Sequence, residues 1–441
     1  MADYLLTLRN NPFFMRYFLN VFAFLIFTNL FSQELILDNY VYQDQIKAVK
    51  MEIADWEISY PIIDLQSDNQ LLLSFDDLSD EIKDFSYKII HCNADWIVSD
   101  LSENEYLNGF FENQIDSPRP SFNTFTNFFH YKLFLPNNNV QFKVSGNYII
   151  KVYEDYDEQK LVLTRRFSIS ENLLEIKAST RRAILAKYRS THQQVDFTVL
   201  TQDLVINDPY SDIKVVVVQN NIWQLAKTDL MPQFVRDGAL IYEDTEDNSY
   251  KGYNEFRRFD MKSLKYLQDR IAKIYFEDDI YFVRLMNDDD KRFKVYLNEK
   301  DINGSYIVRN RDYDDFEVDA DFAQVYFVLP MDEPVSDGDL YVFGELTNWQ
   351  TNEQNKMVYS YEKKAYQLML KLKQGYYNYE YVFANKEKNI FDPQITEGTH
   401  YETENNYLIY VYLRGFGDVY DRLVGFKIVN SMKDNSSIYN Q

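Results

Sequence analysis

The sequence predicts an all-β protein built from tandem β-sandwiches, and three observations support this. Tyr, Phe and Trp make up 17% of the 441 residues, and aromatic rings favour strands because they pack against neighbours across a sheet. Short runs of alternating apolar and polar residues recur along the chain, with the period of a half-buried strand. Turn-forming residues bound these runs. Outer-membrane barrels are also rich in aromatics, so a barrel is the alternative at this point.

A short apolar run near the N-terminus predicts a secretory signal. Residues 17–31 read YFLNVFAFLIFTNLF directly after Arg16. A transmembrane helix needs about 20 apolar residues, whereas a basic flank and a shorter apolar core are typical of a signal. We predict a signal peptide over residues 1–32, cleaved near Ser32. The true start is expected at Met15, and a buried N-terminal helix is the alternative.

The net charge disfavours two classes of partner, and the cysteine count excludes an intrachain disulfide. The chain has 46 Lys and Arg against 69 Asp and Glu, a net charge of −23. Such a charge repels nucleic acid and anionic membrane surfaces, so neither is expected as a partner, and no direct membrane insertion is expected. The single cysteine, Cys92, cannot form an intrachain disulfide. We expect it to be a small buried apolar residue.

An N-terminal β-sandwich is predicted over residues 33–170. Its strands end at turn residues such as the Asp pair after LLLSF. The predicted strands are LLLSF (71–75), FSYKIIH (85–91), YKLFL (131–135), NYIIKVY (147–153) and LVLTRRFSI (161–169).

A middle β-sandwich is predicted over residues 171–310, with one helix or helical turn at 263–273. The run DIKVVVVQ (212–219) is apolar enough for a central strand. The other predicted strands are QVDFTVL (194–200), ALIYE (239–243), EFRRF (255–259), YFVRL (281–285) and RFKVYL (292–297).

A C-terminal β-sandwich is predicted over residues 322–441, after an acidic linker or edge at 310–321. Unequal strand lengths and charges at positions that would face lipid disfavour a membrane barrel. The predicted strands are QVYFVL (324–329), DLYVFG (339–344), YQLMLKL (366–372), YYNYEYVF (376–383) and LIYVYL (408–413).

No catalytic or metal-binding motif stands out, so we expect neither an enzyme nor a cofactor. The four histidines, which are His91, His130, His192 and His400, are scattered and lack metal-ligand spacing. There is no G-x-S-x-G elbow and no phosphate-binding loop. The acidic clusters Asp244–Asp247 and Asp288–Asp290 are expected to be solvated loops.

Two aromatic stretches carry the remaining signal. The first is HCNADW (91–96), which follows a strand and ends at Trp96. The second is DLYVFGELTNWQ (339–350), which places Trp349 after a turn. Each ring either caps the core at a strand end or is an exposed binding residue, and the sequence leaves both interpretations open.

A series of ordered segments resembles the plug protein family of the Bacteroidetes type IX secretion system. The segments run through all three predicted blocks, so their order adds weight that no single one has. They are LLLSFDDL (71–78), YKIIHCNADW (87–96), EYLNGF (105–110), SFNTF (121–125), SGNYIIKVY (145–153), TRRF (164–167), VVVVQNN (215–221), MPQFV (231–235), YNEFRRFD (253–260), ETENNYLIYVYLRG (402–415) and YDRLVGF (420–426).

The resemblance implies a periplasmic protein of tandem immunoglobulin-like β-sandwiches at the periplasmic face of the outer membrane. There it would bind the very large translocon β-barrel and seal its pore when idle. The family supplies no catalytic, metal or cofactor residues. Aromatic and Arg side chains are the usual anchors of protein interfaces, and the candidates here are Trp96, Trp223, Arg257, Arg258 and Trp349.

The C-terminal block has a second, weaker resemblance. DLYVFGELTNWQTNEQNKM and KAYQLMLKLKQGYYNYEYVF are similar to early-set sandwich modules that bind starch or glycogen. In those modules the Asn-Trp turn corresponds to Asn348 and Trp349. The alternative function is therefore a carbohydrate-binding protein, with a glycan as partner.

Overall fold

The computed structural model describes residues 34–201, 204, 206–236 and 238–433. Strands account for 46% of the structure, and most of them pair antiparallel, which confirms the all-β sandwich prediction. The predicted signal peptide, residues 1–32, lies outside the described residues. Within the described part, no helix has the length and apolarity needed to span a membrane.

The first sandwich comes from residues 40–170. One sheet has the order β1-β12-β11-β5-β7, with β3 beside β12, and the other has the order β2-β4-β9-β8. Side chains from both sheets, including Phe75 and Tyr148, form its core. Its strands are β1 (Tyr40–Val41), β2 (Ile46–Ile53), β3 (Ile62–Asp64), β4 (Leu71–Asp77), β5 (Phe85–Cys92), β6 (Leu107–Gly109), β7 (Asn113–Gln114), β8 (Arg119–Pro120), β9 (Phe129–Leu135), β10 (Val140–Phe142), β11 (Gly146–Glu154) and β12 (Leu161–Ser170).

The second sandwich combines two separate stretches of the chain. One sheet has the order β13-β14-β18-β17 with β19 beside β14, and the other has the order β16-β15-β30-β31. Its strands are β13 (Glu175–Arg182), β14 (His192–Leu200), β15 (Ile213–Gln219), β16 (Lys227–Leu230), β17 (Phe234–Arg236), β18 (Ala239–Tyr242), β19 (Ser249–Lys251), β30 (Asn406–Leu413) and β31 (Arg422–Asn430).

The third sandwich lies between β19 and β30 in sequence. One sheet has the order β21-β22-β24-β27-β26, and in the other β28 pairs with β20, β23, β25 and β29. Its strands are β20 (Arg257–Asp260), β21 (Ile271–Glu277), β22 (Ile280–Leu285), β23 (Tyr306–Val308), β24 (Phe322–Pro330), β25 (Asp339–Phe343), β26 (Val358–Ser360), β27 (Ala365–Lys373), β28 (Gly375–Asn385) and β29 (Ile390–Asp392).

Strand pairing crosses the predicted boundary between the middle and C-terminal blocks. β15 of the middle block pairs with β30 along its whole length, from Ile213 beside Leu413 to Gln219 beside Tyr407. β20 and β22, also in the predicted middle block, pair with β28 and β24. Residues 257–392 therefore contribute the strands of the third sandwich, and the chain re-enters the second sandwich at residue 406.

The sheet that contains β15 is buried on both faces. Val215 and Val217 point into the core of the second sandwich. Val216 and Val218 point the other way and pack in a cluster that includes Ile62 of the first sandwich. An apolar run without alternation is what a strand buried on both faces requires.

Two local predictions were wrong. Residues 263–273 form bends and the start of β21 rather than a helix. Side-chain oxygens compete with helical hydrogen bonds there, since Asp260 accepts from the N–H of Lys262 and Ser263 accepts from the N–H of Lys265. Residues 292–293 form a turn, in which the N–H of Lys294 donates to the carbonyl of Lys291 at 3.0 Å, and residues 294–297 have no strand assignment. Single-turn helices complete the structure: α1 (Glu103–Tyr106), α2 (Pro209–Asp212), α3 (Phe316–Asp319) and α4 (Gln394–Glu397).

Candidate docking surface

The predicted anchor Trp96 lies inside the protein. It is only 6% exposed and meets the half-buried Trp223 edge to face, with ring centroids 5.0 Å apart. The guanidinium of Arg166 lies 4.4 Å from the Trp96 ring centroid, a cation–π arrangement. This stack joins the first and second sandwiches, so Trp96 has a packing role and little surface to offer a partner.

Arg257 is also buried and fully paired. Its guanidinium lies 2.9 Å from Glu397 and 3.3 Å from Asp288. Burial lowers the pKa of Arg257, but these carboxylates outweigh burial and raise that pKa above its usual value. Asp288 is itself only 2% exposed, which corrects its interpretation as part of a solvated loop. Arg258 stays partly exposed and pairs with Asp269 at 2.9 Å.

Trp349 has the packing role of the two open interpretations. It is 7% exposed, and its ring packs edge to face against Phe343 and Phe256, with centroids 5.6 and 6.4 Å away. A sugar platform needs an exposed ring face. Trp349 therefore presents little ring surface to a sugar, and the glycan-binding alternative lacks the aromatic platform that it was predicted to use.

An aromatic surface that the candidate list missed lies where the first and third sandwiches meet. Phe125 is 52% exposed and Phe276 44%. The Phe125 ring lies 4.5 Å from Phe276 and 5.7 Å from Tyr281, centroid to centroid. We call Phe125, Phe276 and Tyr281, whose rings contact one another, the aromatic surface. Exposed apolar patches of this kind mark interaction sites.

The hairpin of β21 and β22 presents half of this surface. Asp278 and Asp279 form its two-residue turn, with φ of 50° and 60°, as a type I′ turn requires. The turn sets Phe276 opposite Tyr281. β21 is an edge strand of its sheet, so its outer side is open to a partner.

The loop 121–128 presents the other half of the aromatic surface, and hydrogen bonds to the third sandwich hold its backbone. Asp321 of the third sandwich accepts the backbone N–H of Phe125 at 2.7 Å and that of Thr126 at 3.1 Å. The N–H of Phe122 donates to the carbonyl of Val318 at 2.8 Å. Residues 310–321, predicted as a linker or edge, thus hold the exposed Phe rings in place.

Most of the titratable side chains singled out earlier have structural partners. His91 bonds Ser99 at 2.7 Å through Nδ1 and the carbonyl of Ser145 through Nε2. Burial raises the pKa of the Cys92 thiol to about 12. Among the described residues, no group of three or more His, Cys, Asp or Glu side chains lies where it could hold a metal ion.

The described part of the chain is an all-β protein of three sandwiches with an exposed aromatic surface. The family model described as "Type 9 secretion system plug protein 1st domain" matches residues 46–171. Residues 46–171 therefore belong to the first-domain family of type IX secretion system plug proteins. This family, which is not an enzyme family, suggests a role in type IX secretion.

A solved structure and the curated proteins complete the comparison. The crystal structure of a hypothetical protein from Parabacteroides merdae ATCC 43184 is 36% identical in sequence. It superposes with a TM-score of 0.87, and the match covers 90% of this chain and 100% of that chain. No curated protein matches.

Proposed function

We propose that this protein is a periplasmic plug that binds the very large outer-membrane translocon barrel of the type IX secretion system. It seals the pore while no substrate is in transit. The match of the plug-protein family model to residues 46–171 carries this proposal. The loop with Phe122 and Phe125 falls inside the matched range, so the aromatic surface is the docking face that we assign to it.

Sealing a pore requires a broad, rigid surface. Contacts between the sandwiches favour such rigidity. Lys373 of the third sandwich lies 2.7 Å from Asp76 of the first, with both side chains 1% exposed. Ile62 and Val218 share an apolar cluster between the first and second sandwiches. Such buried contacts resist the relative motion that weak interfaces between domains allow.

Affinity purification tests the proposal directly. The tagged native protein is isolated from detergent-solubilised membranes, and a giant β-barrel is expected to co-purify with it. Deleting the gene should make the outer membrane permeable to large antibiotics only in strains that contain the barrel. Equal leakage in strains without the barrel would contradict the plug function.

A pair of variants tests the docking face. The double variant Phe125→Ser with Phe276→Ser should retain about a tenth of the barrel or less, because truncating two interface anchors costs roughly 2 kcal/mol or more. The matched control is Tyr361→Ser with Phe416→Ser, which removes two rings that are 79% and 101% exposed elsewhere. Equal barrel recovery from both variants would exclude the aromatic surface.

A further inference from the structure

The sheet β21-β22-β24-β27-β26 of the third sandwich has one face in the core and one face turned outward. Val283 and Val325 belong to the core, so the alternate positions of their strands point the other way. Two of the outward side chains, Phe322 and Lys373, are buried against the first sandwich. Outward side chains further along the strands remain exposed or half-buried, namely Lys273, Tyr275, Arg284, Tyr326, Met369 and Lys371.

The charge of this face is opposite to that of the whole chain. The five strands contain four cationic side chains and a single carboxylate, Glu277 at the hairpin end of β21, although the net charge is −23. Within the part of the chain that the structure describes, no Asp or Glu oxygen lies within 4.0 Å of the side-chain nitrogens of Lys273, Arg284 or Lys371. These three cations are therefore available to an anionic partner.

Strand register places apolar side chains directly beside these cations. Arg284 lies opposite Tyr326, and Tyr326 lies opposite Met369. The next row across the sheet consists of Tyr275, Phe282, Gln324 and Lys371. In that row the Tyr275 and Phe282 rings are stacked with centroids 4.9 Å apart. Aromatic, Met and Arg side chains are the types enriched in protein interfaces, so this mixture indicates a docking surface for protein.

Lys47 of the first sandwich extends the positive charge across a cleft of about 190 Å³ that Lys371 also lines. Burial lowers the pKa of Lys47, Asp44 acts in the opposite direction, and the nearby Lys371 ammonium lowers this pKa further. The two carboxylates that line the cleft, Asp44 and Glu345, each accept a hydrogen bond from another described residue. A carboxylate from a partner would relieve the repulsion between the two ammonium groups.

We propose that this surface docks an acidic segment of a partner protein, in which aromatic or aliphatic side chains lie between the carboxylates. The carboxylates complement the unpaired cations, and the apolar side chains pack on the rings and the Met between those cations. We call the surface the basic face and define it as Lys47, Lys273, Tyr275, Arg284, Met369 and Lys371.

Two other occupants of the basic face are disfavoured. An anionic membrane would be repelled by the net charge of −23. A second copy that placed its acidic surface on the basic face would leave its own basic face open for a third copy, and such head-to-tail contacts grow without closing. The basic face shares no residue with the aromatic surface, so the proposal goes beyond pore sealing and does not depend on it.

Binding of a labelled random copolymer of Glu and Tyr to the full mature protein tests the charge requirement. Fluorescence anisotropy at low salt measures the affinity. The double variant Arg284→Gln with Lys371→Gln should bind at least about tenfold more weakly, because two charge-assisted contacts are lost. The matched control, Arg236→Gln with Lys427→Gln, removes the same charge from exposed positions on two other sheets and should bind normally. Equal affinity of the wild type and the Arg284 and Lys371 variant would overturn the proposal.

A comparison with polyglutamate tests the apolar contacts. Wild type should bind the Glu–Tyr copolymer several times more tightly than polyglutamate, and Tyr275→Ser with Met369→Ser should remove that preference. Those side chains are 41% and 50% exposed, and the matched control, Tyr156→Ser with Met231→Ser, removes side chains that are 56% and 57% exposed elsewhere. Equal affinity of wild type for the two polymers would refute a partner with apolar side chains between its carboxylates.

Two further measurements decide between the proposed occupant and the alternatives. Vesicles of phosphatidylethanolamine and phosphatidylglycerol should not bind the protein, and binding that Arg284→Gln with Lys371→Gln abolishes would assign the basic face to the membrane and overturn the proposal. Sedimentation should show a monomer for wild type. Self-association that the same variant abolishes would make a second copy the occupant and would also overturn the proposal.

Discussion

The carboxylate of Asp321 accepts the backbone N–H of Phe125 at 2.7 Å and so ties a loop of the first sandwich to the third. Asp321 is only 5% exposed, and its other oxygen accepts from Thr126 at 3.1 Å and from Phe322 at 2.8 Å. One buried carboxylate therefore organises the aromatic surface. Packing of the exposed Phe125 ring depends on a residue almost 200 positions away.

Asp321→Ala should destabilise the protein by about 1–3 kcal/mol, because three N–H groups lose their acceptor. It should also lower barrel recovery although no aromatic side chain has been changed. Urea unfolding measures the first effect and affinity purification the second. Normal recovery with full stability would show that the carboxylate does not hold the loop. Asp332→Ala is the control, since that side chain is 94% exposed.

Lys373→Met should destabilise the protein by about 3–5 kcal/mol, because the buried Asp76 carboxylate loses its ammonium partner and keeps only its 2.6 Å contact with His130 Nδ1. Adding Asp76→Asn should recover much of this loss, since the uncompensated charge is then removed. Urea unfolding of the two single variants and the double variant gives the coupling energy. Additive losses would mean that the pair does not join the sandwiches energetically.

Glu255 should make stability fall as pH rises. Burial raises the pKa of its carboxyl to about 7, from about 4.3 in an unfolded chain. Below pH 4 both states hold the proton, so its contribution is fully present there. Between about pH 4 and 7 the unfolded state releases the proton first, and stability decreases by up to roughly 4 kcal/mol.

Glu255→Gln tests this dependence because the amide oxygen can still accept from Tyr296 and from the N–H of Glu404. The variant should be more stable than wild type at pH 8 and similar at pH 4. Thermal unfolding across this range measures the difference. The control is Glu362→Gln at an exposed position, and an identical pH profile for all three proteins would contradict a raised pKa at Glu255.

Cys92 should resist thiol reagents in the folded protein. Its side chain is fully buried beneath Trp96 and Ile149, and burial raises its pKa to about 12, so almost no thiolate is present at pH 8. Labelling with a disulfide reagent should therefore proceed only as fast as the protein opens. Rapid labelling of the folded protein would contradict the packing around Cys92.

Most strands were predictable because their pattern is local. The run that became β15 is apolar without alternation, and burial on both faces explains why. The segment SFNTF (121–125), noted for its resemblance to the plug family, contains Phe125 of the aromatic surface. The sequence therefore held part of the aromatic surface within a recognisable segment. It does not say which aromatic rings stay exposed in the folded protein.

Three of the predicted anchors are buried, and the reason lies in contacts that are distant in sequence. Arg257 looks like a surface cation in sequence, yet its carboxylate partner Glu397 is 140 residues away. Trp96 and Trp349 are large rings at turns, and only their neighbours in space decide whether such rings are covered. Whether any of the five candidates contacts a partner stays a prediction.

The amino-acid sequence by itself determined the all-β class, most of the strands and the plug family, because strand periodicity and ordered motifs are read along one chain. The tertiary structure decided that β15 pairs with β30, that Asp321 holds Phe125, and that Phe293 is exposed instead of buried. These relationships depend on contacts between residues far apart in sequence. Alternation shows that a strand has two faces, but only the assembled sheets decide which face meets a core and which is left for a partner.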